Sequence, residues 1–450
     1  MSKTLVICDN EFLSTLYVMN LEVYLATKAE LVTTIEAGIA IHKAKKNFDL
    51  IISLDTINKR DAFKEINEYR GSYGVKTPFI RVGGDEDTDI DVKTFAVSSR
   101  YNIQSILKKS ASILGVTAKQ MAEMQMGAYY PISMAPVEGL TKAPCNLYLS
   151  VDSQYKMLAR RDDTIDESIK NAKATGVDTI YVRSTDRLVM VNNVSLKLIE
   201  RITEALKNSS GMTTDKKVEV LNDGFEFAAA NLFSTEEIRQ EMAEIATASA
   251  KVMSDVVKDN AQLKGLLATM LSNKSGYIFT HSMITSYVAN HIIKNVTWGG
   301  EGQSDKINFV LFFHDIYLSP IYLKHPQLKF EKALLDNPAL SEKEKDIIMN
   351  HAKLAAELVV TYKRCPMGAD VLIKHHHGMK KGSGFANKYP EDLSPLSKVL
   401  LIAEAFVEIF VATTDKKEKV EMKLIIPKLI EEFVSPSYIK IIQTLVNLPL

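Results

Sequence analysis

Eight of the nine histidines fall between His281 and His377, roughly a fifth of the chain. Imidazole is a common metal ligand and a common acid–base group, so this crowding marks a chemical region before any motif is considered. The most informative pair is His314-Asp315, which follows the apolar run FVLFF. Neighbours on a helix point about 100° apart, so both can serve one cavity only near a helix end or around a wide metal centre. A bridging carboxylate there can hold two divalent ions about 3.5–4 Å apart, with imidazoles completing each shell. His281, His351, His375, His376 and Glu404 supply the right ligand types on separate stretches. Two cations lower the pKa of a shared water, which gives a hydroxide nucleophile and a hydrolysis that needs no nucleophilic side chain. Asp315 and His314 are therefore the expected catalytic core. His291 and His325 have no place in the pattern and read as ordinary surface or helix-end residues. His377 points well away from His375 on a helix and reads as supporting or solvated, outside the metal shell.

Helices must position these groups. From Tyr277 onward the pattern is almost wholly helical, and the histidines lie on or at the ends of FTHSMITSYVANHI, FFHDIYLSP, MNHAKLAAELV and LIKHHHG, with Glu404 in LIAEAFVEIF. Ser341 with Glu344 predicts a capping box ahead of His351. The triple histidine follows Pro366 and stops at Gly378. Upstream, TLVIC (4–8), DLIISL (49–54), PFIRV (78–82) and KTFAV (93–97), with a further strand near AELVTT, alternate with helical stretches. That alternation predicts a doubly wound parallel sheet of flavodoxin-like type. Between about 125 and 200, YYPISMAPVEGL, CNLYLSVDS, QYKMLARRD, DTIYVRSTD and RLVMVNN read as strands around the helix DESIKNAKATG, a small α+β domain. A long helical stretch follows, opened by a Ser234–Glu237 capping box and uninterrupted until Gly265. Such a helix couples domains or pairs with a second copy of itself, so a homodimer is an open expectation.

The chain has 450 residues, 46% of them apolar, which implies several domains. Lys+Arg and Asp+Glu both number 55, so no large basic face is available for a nucleic-acid polymer. Cys8, Cys145 and Cys365 form no C-x-x-C pair, which argues against a disulfide scaffold or zinc knuckle and fits a reducing cytoplasm. The N-terminal stretch meets acid too early for a signal peptide, and no run of about 18 apolar residues spans a membrane.

The order of motifs from Ser275 to Thr414 resembles the HD-GYP family, a branch of the HD superfamily of metal-dependent phosphohydrolases. His281, the FFHDIYLSPIYL segment, His351, His375-His376 and the loop Gly382-Ser383-Gly384-Phe385 carry the resemblance, and Glu404 stands where the family has an Asp ligand. The resemblance implies hydrolysis of cyclic di-GMP with two or three iron or manganese ions. Tyr277, one turn before His281, replaces a glutamate of three-metal members, so two metals are expected here. The family lysine three residues after the HD aspartate is Leu318, the residue after the double histidine is His377, and the named Tyr-Pro is Phe385-Ala386. Lys380 and Lys381 are candidates to meet substrate phosphate in place of the lost lysine.

Residues 1–118 likewise resemble the receiver domain of bacterial response regulators. Asp9 stands at an acidic position of that family, beside Asn10, and Asp55 at the end of the third strand is the candidate phosphoacceptor. Ser98, Ser99 and Arg100 lie where the family has a lysine. The expected organisation is thus multidomain: a degenerate receiver-like α/β domain over 1–118, a small α+β domain over 119–200, a helical connector over 201–258, and an all-α HD-GYP-like bundle over 259–450. The expected function is a cytoplasmic bacterial signalling phosphodiesterase acting on a cyclic dinucleotide, with protein partners reached through the receiver-like domain. The alternative is an impaired HD-GYP-like domain that binds metal and nucleotide and signals by interaction.

Overall fold

The computed structural model describes residues 2–83, 93–97, 99–117, 127–138, 140–232, 236–273, 275–325 and 328–450. Ser98 and Ser234 lie outside the described residues, and with Ser234 the capping box expected there. The chain divides into two compact units, Met1–Glu200 and Arg201–Leu450.

Among the described residues of the first unit, β1 (Lys3–Ile7), β2 (Lys28–Val32), β3 (Leu50–Leu54), β6 (Phe79–Val82) and β7 (Thr94–Val97) form a parallel sheet. Its order, β2-β1-β3-β6-β7, is flavodoxin-like. The strands are apolar runs because a doubly wound sheet is covered on both faces; every residue of β3 and β6 is buried. Helices α1 (Glu11–Leu25), α2 (Ile35–Lys45), α3 (Ala62–Ser72) and α4 (Ile103–Leu114) make the crossovers. A two-residue ribbon, β4 (Thr56–Ile57) with β5 (Arg60–Asp61), follows β3. Asn10 caps α1 by accepting from the amides of Phe12 and Leu13, and Gly115 ends α4 at φ +68°.

The rest of this unit is an antiparallel sheet of β8 (Tyr129–Ser133), β9 (Leu147–Val151), β10 (Gln154–Ala159) and β11 (Thr179–Arg183), ordered β10-β9-β11-β8, with α5 (Asp166–Ala174). The expected strand RLVMVNN is instead the first part of a helix, α6 (Arg187–Lys207). Its buried residues Met190, Val191, Leu198, Ile199, Ile202 and Leu206 continue one helical face, and that longer periodicity outweighs the local β-branched character.

In the second unit α7 (Thr214–Ala230) precedes α8 (Glu236–Asp259) and α9 (Leu263–Ser272). The expected long helix breaks before Gly265: Gln262 adopts extended backbone, and Asn260 turns its side-chain amide back to the Val256 carbonyl. The bundle that carries the histidines consists of α10 (Tyr277–Asn295), α11 (Glu301–Phe313), α12 (Ser319–Lys324), α13 (Glu331–Leu334), α14 (Glu342–Val360), α15 (Ala369–His375) and α16 (Pro395–Asp415). Two closing helices follow, α17 (Met422–Glu432) and α18 (Pro436–Gln443). The capping box expected at Ser341–Glu344 opens α14, with both of its hydrogen bonds made. No helix among the described residues is long and apolar enough to cross a membrane.

Candidate metal centre

His314 is the C-cap of α11, and Asp315 begins the 3-10 turn Ile316–Leu318. The helix end is what lets both side chains face one cavity. Their carboxylate–imidazole contact is 3.1 Å, from His314 Nε2 to Asp315 Oδ2. His281 of α10 reaches the same oxygen at 4.0 Å. On the other side, His351 of α14 and His376, the C-cap of α15, each place Nε2 3.4 Å from Asp315 Oδ1. Asp315 thus presents one oxygen to each of two groups: His281 with His314, and His351 with His376 and His377. Glu404 of α16 joins the first group, its Oε2 2.5 Å from His281 Nε2 and its Oε1 3.3 Å from His314 Nε2. His281, His314, Asp315, His351 and His376 are all at least 97% buried.

Local backbone bonds set the tautomers. The Nδ1–H groups of His314, His351 and His376 donate to the carbonyls of Leu311, Ile348 and Ile373, each three residues back. A ring held this way turns an Nε2 lone pair into the centre. His351 Nε2 then lies 3.1 Å from His376 Nε2 and 3.0 Å from His377 Nε2. With His351 and His376 fixed as acceptors, a proton on His377 Nε2 could satisfy His351 but would leave His376 unmatched. Among the described residues, His281 Nε2, His314 Nε2, Asp315 Oδ1 and Glu404 Oε1 are also buried without a well-formed hydrogen bond. Buried polar atoms without such partners, converging at this spacing, fit metal ions, and the set of imidazoles and carboxylates suits first-row divalent cations.

The two groups differ electrostatically. Burial lowers the pKa of His281, but the Glu404 carboxylate outweighs it and lifts the imidazole to about 9. His314 is raised well above its ordinary value, since Asp315 overcomes the same burial. Burial alone would raise Glu404 and Asp315, yet the neighbouring imidazoles hold Glu404 at about 2 and Asp315 well below the carboxylate range. Burial pulls His376 down and His377 well down, so the second group is already in the neutral form that ligation requires.

His375 and His377 exchange their expected places. His375, half-buried, turns away, with Nδ1 3.4 Å from Ser397 Oγ, whereas His377 enters the cluster. The helix ends at His375, so His376 and His377 occupy the turn that folds over the centre. Gly378 makes that turn at φ +76°, and a Cβ there would lie 2.7 Å from Tyr389 Cδ1 and 2.8 Å from Ala386 Cβ. Gly378→Ala is therefore expected to cost about 1–2 kcal/mol from the backbone alone and to weaken metal binding by displacing His377. A lowered Tm together with a raised metal Kd checks it.

The signature loop packs on the same side. The Gly382 carbonyl accepts from the Lys353 amide, the Gly384 amide donates to the Met349 carbonyl, and the Ala386 amide donates to the His377 carbonyl. Phe385 is thereby set 4.4 Å from the His377 ring and 6.3 Å from that of His351, centroid to centroid. Lys380 is drawn into an exposed ion pair with Asp392, and Lys381 is exposed on the same loop; neither joins the histidine cluster. His291 bonds the Thr444 carbonyl, and His325 Nε2 lies 3.9 Å from Glu344; both stay outside the cluster, as expected. Leu318 is wholly buried. Leu318→Lys is expected to destabilise the domain by about 3–5 kcal/mol, because it buries an unpaired charge, and not to restore a phosphate clamp. Urea unfolding of the metal-free variant measures the loss.

One residue escaped sequence reasoning. Glu331, at the start of α13, is 3% exposed, and its Oε1 has no partner among the described residues. Burial, reinforced by the charge of Asp315, pushes it up to about 8. The Phe330 amide beside it donates to the Tyr277 hydroxyl, and Tyr277 stacks on His281 at 5.9 Å. In sequence Glu331 is a lone acid in KFEKALL, with nothing to separate it from a surface charge. In the first unit, Asp55 is paired with Arg81, and Asp9 accepts from the Asn58 amide.

Residues 278–407 match the HD domain family. A solved structure described as Bd1817, a HDG"Y"P protein from Bdellovibrio bacteriovorus, aligns with 17% identity and a TM-score of 0.38 over 71% of this chain and 98% of its own. No curated protein matches the chain significantly. With the HD pair at a helix end and buried imidazoles on both sides of Asp315, residues 278–407 are an HD domain of the metal-dependent phosphohydrolase type, its His/Asp cluster in place.

Proposed function

We propose that the HD domain is a two-metal phosphodiesterase that hydrolyses a cyclic dinucleotide, cyclic di-GMP being the first candidate, in bacterial signalling. One observation carries this reading: Asp315 offers its two oxygens to two separate sets of imidazoles. His281, His314 and Glu404 would hold one divalent ion and His351, His376 and His377 the other, with Asp315 available to both. Iron or manganese fits a mixed imidazole–carboxylate shell. Such a pair, when bound, would supply Lewis acidity toward water and the phosphoryl oxygens. The protein's own part is preorganisation. The backbone carbonyls of Leu311, Ile348 and Ile373 fix three imidazoles in the ligating tautomer. The apolar surroundings keep Asp315 and Glu404 from being solvated away. Phe385 packs against the His377 ring on the His351–His377 side.

Phe385 and Leu318 also support a second reading, a metal- and nucleotide-binding sensor. Phenylalanine brings no hydroxyl to the loop, Leu318 brings no cation, and Lys380 is already paired with Asp392. Protein purified without oxygen, analysed for metal and assayed against a panel of cyclic and linear nucleotides separates the two. Turnover of cyclic di-GMP supports the phosphodiesterase reading, and turnover of another nucleotide alone replaces its substrate. Bound metal with tight nucleotide binding and no product favours the sensor.

A further inference from the structure

Helix α11 carries the HD pair at its C-terminal end. At its N-terminal end, about 20 Å away, lies a cavity of about 350 Å³ walled by α8, α10 and the loop that opens α11. Its walls are pinned by buried polar side chains. Asn308 of α11 donates to the Ala250 carbonyl of α8, and Ser286 and Asn290 of α10 both donate to Asn308 Oδ1. Gly299 lets the loop turn hard against α10, since a Cβ there would collide with the Ile293 carbonyl. Gly300 then opens α11 with no side-chain cap, its carbonyl accepting from the amides of Gln303 and Ser304. The amides of Glu301 and Gly302 have no acceptor among the described residues.

Two cations line this cavity, Lys258 of α8 and Lys294 of α10. Lys294 makes no ion pair or hydrogen bond among the described residues, and Lys258 has a loose pair with Asp255, 3.7 Å apart. Glu301 is the one acid of the lining among the described residues; Asp255 and Asp305 neighbour Lys258 but are not part of it. The lining therefore keeps a net positive charge, the sign that draws an anion. We propose that this cavity is a second ligand site, separate from the metal centre, that takes a small organic phosphate. Lys258, Lys294 and the open amides at the start of α11 meet the phosphate, and Val257 and Ile293 meet the organic part. Lysines serve phosphate as point charges, and backbone amides at a helix start add donors of fixed direction. A pinned cavity of this size, apolar on one side with a few converging polar groups on the other, is of the kind that holds a small molecule.

The test is calorimetric titration of the full chain, as purified, with phenylphosphonate, whose carbon–phosphorus bond resists hydrolysis. Saturable binding is expected, weakened about tenfold or more in Lys258→Ala/Lys294→Ala, which removes both charge-assisted contacts. Glu301→Gln is expected to tighten binding several-fold, because it removes the opposing charge of the lining. Phosphonate held at the metal centre would bind the double variant as well as the parent, so the difference between the two belongs to the cavity. Metal content and circular dichroism serve as fold controls, and a tightening in Glu301→Gln cannot come from damage to the fold. No binding by the parent at millimolar phenylphosphonate, or equal binding by parent and double variant, overturns the proposal. Binding that is unchanged or weaker in Glu301→Gln overturns the assignment of an anion.

Discussion

Asp315→Ala is expected to lose both metal ions at once and with them all hydrolysis, while the first unit stays folded. Among the described residues, Asp315 is the carboxylate whose two oxygens face different imidazole groups, at 3.1 and 3.4 Å. Removing it takes a ligand from each proposed ion. It also removes the negative charge that would screen two cations held about 3.5–4 Å apart. A single-sided ligand behaves differently: Glu404→Gln keeps its shape, loses one charge, and is expected to weaken one ion while the other stays. Metal analysis by mass spectrometry, with circular dichroism as the fold control, reads both outcomes. An Asp315→Ala protein with unchanged metal content would sink the bridging role.

The second large effect is a reversal of pH dependence on metal removal. In the metal-free domain His281 is held at about 9, against about 6.5 when unfolded, by Glu404 and despite burial. That stabilisation is fully present below pH 6.5 and is lost as pH rises through 9, a change on the order of 3 kcal/mol for the pair. Glu404, held at about 2, contributes above pH 4.5 and loses its contribution as pH falls toward 2. The His281–Glu404 pair of the metal-free domain is thus expected to contribute most between about pH 4.5 and 6.5. The loaded domain runs the other way, because His281 must shed its proton to ligate. Metal affinity should climb by up to about tenfold per pH unit for each proton displaced, levelling near pH 9. Thermal unfolding from pH 5 to 9, with and without metal, measures both arms, and parallel curves would contradict the proposed ligation of His281.

The parts legible in the sequence were those set by long-range repetition. Four largely apolar runs and a fifth near AELVTT marked the parallel sheet, because strands covered on both faces are mostly apolar. The HD pair was legible because its chemistry demands a helix end, and α11 does end at Phe313. What failed was decided by only one or two residues. Helical phase alone cannot say which two of three consecutive histidines face inward. The choice of His376 and His377 over His375 depends on where α15 stops and on the positive-φ turn at Gly378. RLVMVNN looked like a strand in a seven-residue window, yet its apolar face continues for twenty-one residues as α6. The break between α8 and α9 carries no Pro or Gly, only Asn260 competing for a backbone carbonyl. Glu331 was invisible because its burial comes from tertiary packing around Tyr277 and Phe330.

The central claim, catalysis by a two-metal centre around Asp315, is tested most directly by titrating metal-free protein with Mn²⁺ or Fe²⁺ without oxygen while following cyclic di-GMP hydrolysis. The account predicts product formation that stays near baseline at one equivalent, rises to saturation at two, and vanishes in Asp315→Ala at any metal concentration. Full activity at one equivalent, activity without metal, or activity surviving in Asp315→Ala would contradict it.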